Sequence, residues 1–184
     1  MDFEIIAEGL QFPEGPVVMP DGSVIVVEIK RGTLTRCWNG RTEVVATLGG
    51  GPNGAALGPD GAMYVCNNGG FAWHDYGGLL VPGNAAMDYT TGRIERVDLS
   101  TGKLERLYEA VDGERLSGPN DIVFEKSGAF WFTDLGKQRE RVKERGGLYY
   151  AKPDGSLIKQ MYYGNGLNGV GLSPDEKVCY AAET

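Results

Sequence analysis

Residues 53–61 read Asn-Gly-Ala-Ala-Leu-Gly-Pro-Asp-Gly, and three other stretches superimpose on them without gaps. They are Glu14-Gly-Pro-Val-Val-Met-Pro-Asp-Gly22, Asn120-Asp-Ile-Val-Phe-Glu-Lys-Ser-Gly128 and Asn168-Gly-Val-Gly-Leu-Ser-Pro-Asp-Glu176. Each opens on a side-chain carboxylate or carboxamide, continues through a short apolar run, and reaches a turn of Pro-Asp-Gly type. A second apolar run follows every turn: Val24–Val27, Met63–Cys66, Phe130–Thr133 and Val178–Ala182. Two such runs around a turn of Pro, Asp and Gly read as a β-hairpin.

The copies start at positions 14, 53, 120 and 168, separations of 39, 67 and 48 residues. A repeat of about 40–50 residues with four strands is the size of a propeller blade. The expectation is an all-β chain, one β-propeller domain over residues 1–184. The long second interval implies an insertion, and Asn67–Asp88 is the candidate: rich in Gly and aromatics, without clean strand alternation, and home to the only histidine, His74. Lys137–Arg145 is charged with little apolar periodicity, and reads as a solvated loop or short helical turn.

The bulk composition agrees. With 184 residues there is enough chain for one domain and a substantial core. The 29 glycines and 10% aromatics favour short strands and tight turns over helices. A net charge of −7 argues against nucleic acid, which needs clustered cations. No apolar run approaches the roughly 20 residues that span a bilayer, so no membrane partner is expected. Met1-Asp2-Phe3-Glu4 lacks the basic and apolar regions of a signal peptide. Cys37, Cys66 and Cys179 are odd in number and without CxxC spacing, so each reads as a small buried hydrophobe. The expected compartment is the cytoplasm.

In a propeller the first strand of every blade lines the central channel, so residues at one repeat position form a ring. Glu14, Asn53, Asn120 and Asn168 would converge there. One carboxylate with several amide oxygens suits a hard cation such as Ca²⁺, Mg²⁺ or Mn²⁺, and the absence of His and Cys argues against structural zinc. A lone Asn-Gly is ordinary turn chemistry. Four in register, one of them Glu, are harder to read that way. Glu14, Asn168 and Asn120 are the candidate metal ligands, and Asn120 and Asn53 the candidate substrate contacts. Asp121 and His74 are further candidate substrate contacts, each set against a plainer role: Asp121 should point away from Asn120 and serve as a structural acceptor, and His74 as surface decoration.

Phe12-Pro-Glu-Gly-Pro16, Gly118-Pro-Asn-Asp-Ile-Val-Phe124 with Phe130-Trp-Phe-Thr-Asp134, and Asn165-Gly-Leu-Asn-Gly-Val-Gly-Leu-Ser-Pro-Asp175 together resemble the SMP-30/gluconolactonase/LRE family across essentially the whole chain. The resemblance implies a six-bladed propeller, of which about four blades are visible, with a divalent cation at one end of the channel. It implies Glu14 and Asn168 as ligands, Asn120 between metal and substrate, and a further Asp in a later blade as ligand and general base. Hydrolysis of sugar-acid lactones or related esters follows, activated by Ca²⁺ first, or by Mg²⁺, Mn²⁺ or Zn²⁺. Animal members carry an Arg on the sugar acid where this chain has Gly118. The expected Asp has no counterpart before Thr184, and four blades of six leave open sheet edges. The chain is therefore expected to be truncated at its C-terminus. Asp121 and Asp134 are the nearby acids to be considered in place of that base. The rival class is a non-catalytic calcium-binding propeller that presents its face to a small ligand or a protein.

Overall fold

The computed structural model describes residues 3–184; of the N-terminal segment, Met1 and Asp2 lie outside the described residues. Every regular element among the described residues is a strand. Blade one is the antiparallel sheet β1 (Pro13–Val18), β2 (Val24–Glu28), β3 (Thr33–Trp38) and β4 (Arg41–Thr47), in that spatial order. Blade two begins with β5 (Pro52–Leu57) and β6 (Met63–Asn67). A separate hairpin, β7 (Phe71–Asp75) and β8 (Leu80–Ala85), follows before β9 (Arg93–Val97) and β10 (Leu104–Tyr108) complete the blade. A short hairpin, β11 (Ala110–Val111) and β12 (Glu114–Arg115), leads to blade three. That blade comprises β13 (Pro119–Phe124), β14 (Phe130–Asp134), β17 (Gly146–Ala151) and β18 (Ile158–Gly164), with the hairpin β15 (Lys137–Gln138) and β16 (Lys143–Glu144) between its second and third strands. A fourth blade is represented by its first hairpin, β19 (Leu167–Leu172) and β20 (Cys179–Glu183). The four repeats are thus three complete blades and the opening of a fourth.

The core lies between blades, and strand alternation builds it. Along β6, Met63 and Val65 point into a cluster shared with Ile25, Val27 and Leu34 of blade one. Tyr64 and Cys66, on the other face, enter a cluster with Ile122, Phe130 and Phe132 of blade three. A two-residue side-chain period in a sheet covered on both faces explains why all of β6 is buried. Cys37 and Cys66 are buried free thiols as expected, whereas Cys179 is only half-buried. No helix among the described residues is long and apolar enough to cross a membrane.

Two sequence expectations are corrected. The segment after Asn67 is a paired hairpin and not an irregular loop. Pro82 and Gly83 interrupt its alternation, yet Trp73 pairs with Pro82 and His74 with Val81. The turn closes on Gly77 and Gly78, both at positive φ, with the Gly78 amide donating to Asp75 Oδ1 at 2.6 Å. Likewise Lys137–Arg145 is no helical turn: Lys137 and Gln138 pair with Glu144 and Lys143, and Lys137 is 1% exposed.

Candidate functional site

Each blade's first strand carries one extra residue against its partner, and the irregularity falls at the repeated position. The register shifts lie between Glu14 and Val17, Pro52 and Gly54, Pro119 and Ile122, and Leu167 and Val170. A β-bulge bends its strand and re-aims a side chain, and such bulges recur beside functional sites. Glu14, Asn53, Asn120 and Asn168 all line one cavity of about 400 Å³. Asp121, Phe12, Phe71 and Pro82 also face it.

Close approach of neighbouring first strands makes this convergence possible. A Cβ on Gly15 would stand 2.6 Å from the Ala55 amide nitrogen, and one on Gly54 would overlap the Asn120 carbonyl oxygen. The glycines beside the ring residues therefore serve packing between blades as well as turns. Phe12, just before the first ring residue, holds φ at 58° and packs its ring 5.1 Å from Trp73. A non-glycine residue in this region stores backbone strain, which clusters at functional sites.

Exposure varies along the arc. Asn53 and Asn120, in the middle, are 8% and 7% exposed; Glu14 and Asn168, at its ends, are exposed. Among the described residues no protein group hydrogen-bonds the side-chain amides of Asn53 or Asn120, which turn toward the cavity. The Asn168 carbonyl accepts from the Thr133 hydroxyl, and the same hydroxyl accepts the Asp121 amide at 3.1 Å.

The remaining candidates have other duties. Asp121 lines the cavity, but its Oδ1 accepts the Ile122 amide at 2.9 Å and its Oδ2 the Val170 amide at 3.0 Å. That is the structural acceptor role, held by a residue that also faces the cavity. His74 is exposed near Tyr76 and is not among the residues lining the cavity; the hairpin contributes Phe71 and Pro82 instead. Asp134 is fully buried and accepts the amides of Ser117, Gly118 and Gly136 at 2.7–2.8 Å. Burial raises its carboxyl to about 6, against the lowering effect of those three amides and of Lys137.

Sequence reading missed two features. The first is a second ring. Glu28, Asn67, Asp134 and Glu183 end the second strand of each blade, paired with Pro13, Pro52, Pro119 and Leu167. Each accepts a backbone amide just ahead of the first strand, from Gln11, Gly51, Ser117 and Asn165 respectively, so the ring residues project from anchored strands. The second is Lys137. Burial pulls its ammonium down to about 7, although Asp134 and Glu144 oppose that shift. It donates to the Asn68 backbone oxygen at 2.7 Å and to Asn68 Oδ1 at 3.1 Å. Nothing local to either sequence segment predicts that pairing.

Comparison with known proteins agrees with the geometry. The chain is 27% identical to a gluconolactonase of Zymomonas mobilis subsp. mobilis over 203 residues, covering 98% of this chain and 51% of that protein. It is 28% identical to lactonase drp35 of Staphylococcus saprophyticus over 185 residues, covering 98% and 50%. The chain thus spans about half the length of the curated relatives it matches. A gluconolactonase from Xanthomonas campestris superimposes with a TM-score of 0.72 at 24% identity, over 95% of this chain and 55% of that one, which shows the propeller fold. Residues 12–184 match the region described as SMP-30/Gluconolactonase/LRE-like, and the chain belongs to that family.

Proposed function

We propose that this cavity is part of the active site of a divalent-metal-dependent lactonase, a propeller that opens sugar-acid lactones or related esters. The observation that carries the reading is the set of four bulged first strands with oxygen-bearing side chains in one cavity. Two of these, Asn53 and Asn120, are mostly buried residues whose side-chain amides bond no protein group and open onto the cavity. Ligand cavities fix orientation with a few convergent polar groups, a role these free amides are placed to fill. The likeness to relatives named gluconolactonase and lactonase supports the choice of lactones.

The donor set suits a hard cation in kind: one carboxylate and amide oxygens, with no group of three His, Cys, Asp or Glu side chains among the described residues. Glu14, Asn168 and Asn120 would hold it, with Ca²⁺ the first candidate and Mg²⁺, Mn²⁺ or Zn²⁺ the others. When bound, the cation supplies Lewis acidity for the lactone carbonyl and lowers the pKa of water. Glu14 contributes the negative charge that retains the cation. The Asn53 and Asn120 amides orient the lactone by hydrogen bonds, and Phe12, Phe71 and Pro82 cover the ring's apolar edge. A general base is still needed. Each oxygen of Asp121 already accepts a backbone amide, and Asp134, enclosed by three more, does not line the cavity. We therefore assign that step to the Asp that the resemblance places in a later blade.

The test is hydrolysis of gluconolactone and related lactones by the intact protein, with and without EDTA. Turnover that EDTA abolishes and Ca²⁺ restores is the expected result. No metal-dependent turnover across the panel would overturn the lactonase reading in favour of the calcium-binding module.

A further inference from the structure

Lysine is almost never fully buried without a reason, because its ammonium gives up hydration. Lys137 is 1% exposed at the start of β15, and its hydrogen bonds end on Asn68, a residue of blade two. Asn68 is the corner from which the β7–β8 hairpin departs. Its amide donates to the Gly51 carbonyl at 2.8 Å, and its Oδ1 accepts the Gly70 amide at 2.8 Å as well as the lysine. With two donors converging on Oδ1 the carboxamide is fixed in orientation, and its Nδ2 is left as a buried atom without a hydrogen-bond partner.

The same ammonium stands 4.0 Å from the ring centroid of Phe71 and 5.1 Å from that of Tyr89. Phe71 faces the cavity described above. Tyr89 faces a separate groove between blades two and three, and its ring also carries the Arg139 guanidinium at 5.0 Å. Phe71 meets Trp73 edge-on at 6.2 Å, Trp73 meets Phe12 at 5.1 Å, and Lys30 of blade one stands 5.7 Å over Trp73. Cations from the two flanking blades therefore clamp one aromatic row in which Phe71 and Trp73 belong to the inserted hairpin. No residue of β7 or β8 belongs to either core cluster, and a hairpin outside the core opens readily unless it is anchored.

We propose that Lys137 is a positioning residue for the cavity: by holding Asn68, Phe71 and Tyr89 it sets where the β7–β8 hairpin stands, and thereby which lactones fit against Phe71 and Pro82. The inference rests on the lactonase reading for its substrate, but the anchoring itself is measurable without one.

The experiment uses the intact protein with Lys137→Met, which keeps most of the unbranched side chain and removes its charge and donors. Tyr89→Leu is the second variant, removing one ring of the clamp together with its hydroxyl's bond to the Ser117 carbonyl. Tyr89 does not line the cavity, and Tyr89→Phe, which keeps the ring, separates the two losses if the first variant fails to fold. Amide hydrogen exchange across residues 71–85 should quicken by about tenfold or more in both variants, while β2 and β6 keep their protection. For a compact lactone, KM should rise about tenfold with kcat changed less than about threefold, the pattern of lost binding. The kcat/KM ratio of bulky to compact lactones should rise with it. Lys137→Arg, which retains charge and donors, should recover part of each effect. Unchanged exchange in the hairpin, a loss of protection spread evenly over all blades, or a hairpin-specific loss with unchanged KM and substrate ratio would each overturn the proposal. A wild-type protein without lactone turnover would overturn the function proposed above, and the exchange result would still decide whether Lys137 anchors the hairpin.

Discussion

Asp121 Oδ2 accepts the backbone amide of Val170 at 3.0 Å, so a carboxylate of blade three ties down the first strand of blade four. The contact falls at the bulges of both strands, beside Asn120 and Asn168. The spacing of Asn120 and Asn168 is therefore set partly by an acid that contacts no ligand itself in our reading.

Replacing Asp121 by Ala leaves the amides of Ile122 and Val170 without their acceptor. We expect a loss of about 1–3 kcal/mol in unfolding free energy, the cost of stranding partly buried donors. Denaturant titration measures it. A variant as stable as wild type would show that water replaces the carboxylate freely.

Gly54→Ala should be far more damaging than its size implies. The added Cβ meets the Asn120 carbonyl oxygen and the Asp121 backbone, neither of which can swing aside. Two blades must separate for it to fit, and overpacking of this kind costs about 1–3 kcal/mol or more. We expect a lowered Tm or failure to fold. Gly155→Ala is the control: its Cβ meets nothing, and only its φ of 77° opposes the change.

Glu14→Gln removes the only acidic side chain in the cavity that is not engaged by a neighbouring blade. Under the proposed function, loss of such a ligand lowers cation affinity and kcat/KM by about 100-fold. Its exposed position predicts little change in Tm. Calorimetric titration with Ca²⁺ and lactone kinetics check the two halves separately. Retained Ca²⁺ affinity would remove Glu14 from the ligand set.

Asp134 should shape the acid side of the stability profile. Burial raises its carboxyl to about 6 in the folded protein, above the ordinary 3.8 that it regains on unfolding. Between those values the folded state binds more protons than the unfolded state. Its contribution is thus fully present below about pH 4 and is lost as pH rises through about 6. Asp134→Asn should flatten that part of the profile, measured as unfolding free energy from pH 4 to 6.5. The Asn oxygen can accept the Gly118 and Gly136 amides, as Asn67 in blade two accepts those of Gly51 and Gly69. Its nitrogen would face the Ser117 amide, so the variant should also be less stable at every pH, and the slope is the readout. An unchanged slope in the variant would assign the titration to another group.

Much of the architecture was legible because propellers write it locally. The hairpins at Asp21-Gly22 and Asp60-Gly61 show as turn residues between apolar runs, and the ring shows as one position repeated four times. The second ring was open to the same alignment, since each member follows its strand-opening partner by 15 or 16 residues. It passed unseen because Glu28, Asn67, Asp134 and Glu183 vary in type while sharing one task, accepting a backbone amide. His74, by contrast, drew notice as the sole histidine, and stands exposed outside the cavity.

The amino-acid pattern alone determined an all-β chain, its blade order and the four oxygen-bearing residues at one repeated place. Those properties depend on strand period and turn chemistry, which act within a few residues. Only the tertiary structure decided that Asp121 would be spent on Val170 and that Lys137 would be buried against Asn68, 69 residues earlier in the chain. Burial and hydrogen bonding across blades depend on which distant segments meet. A charged residue with no nearby apolar period gives no local sign that it will be enclosed.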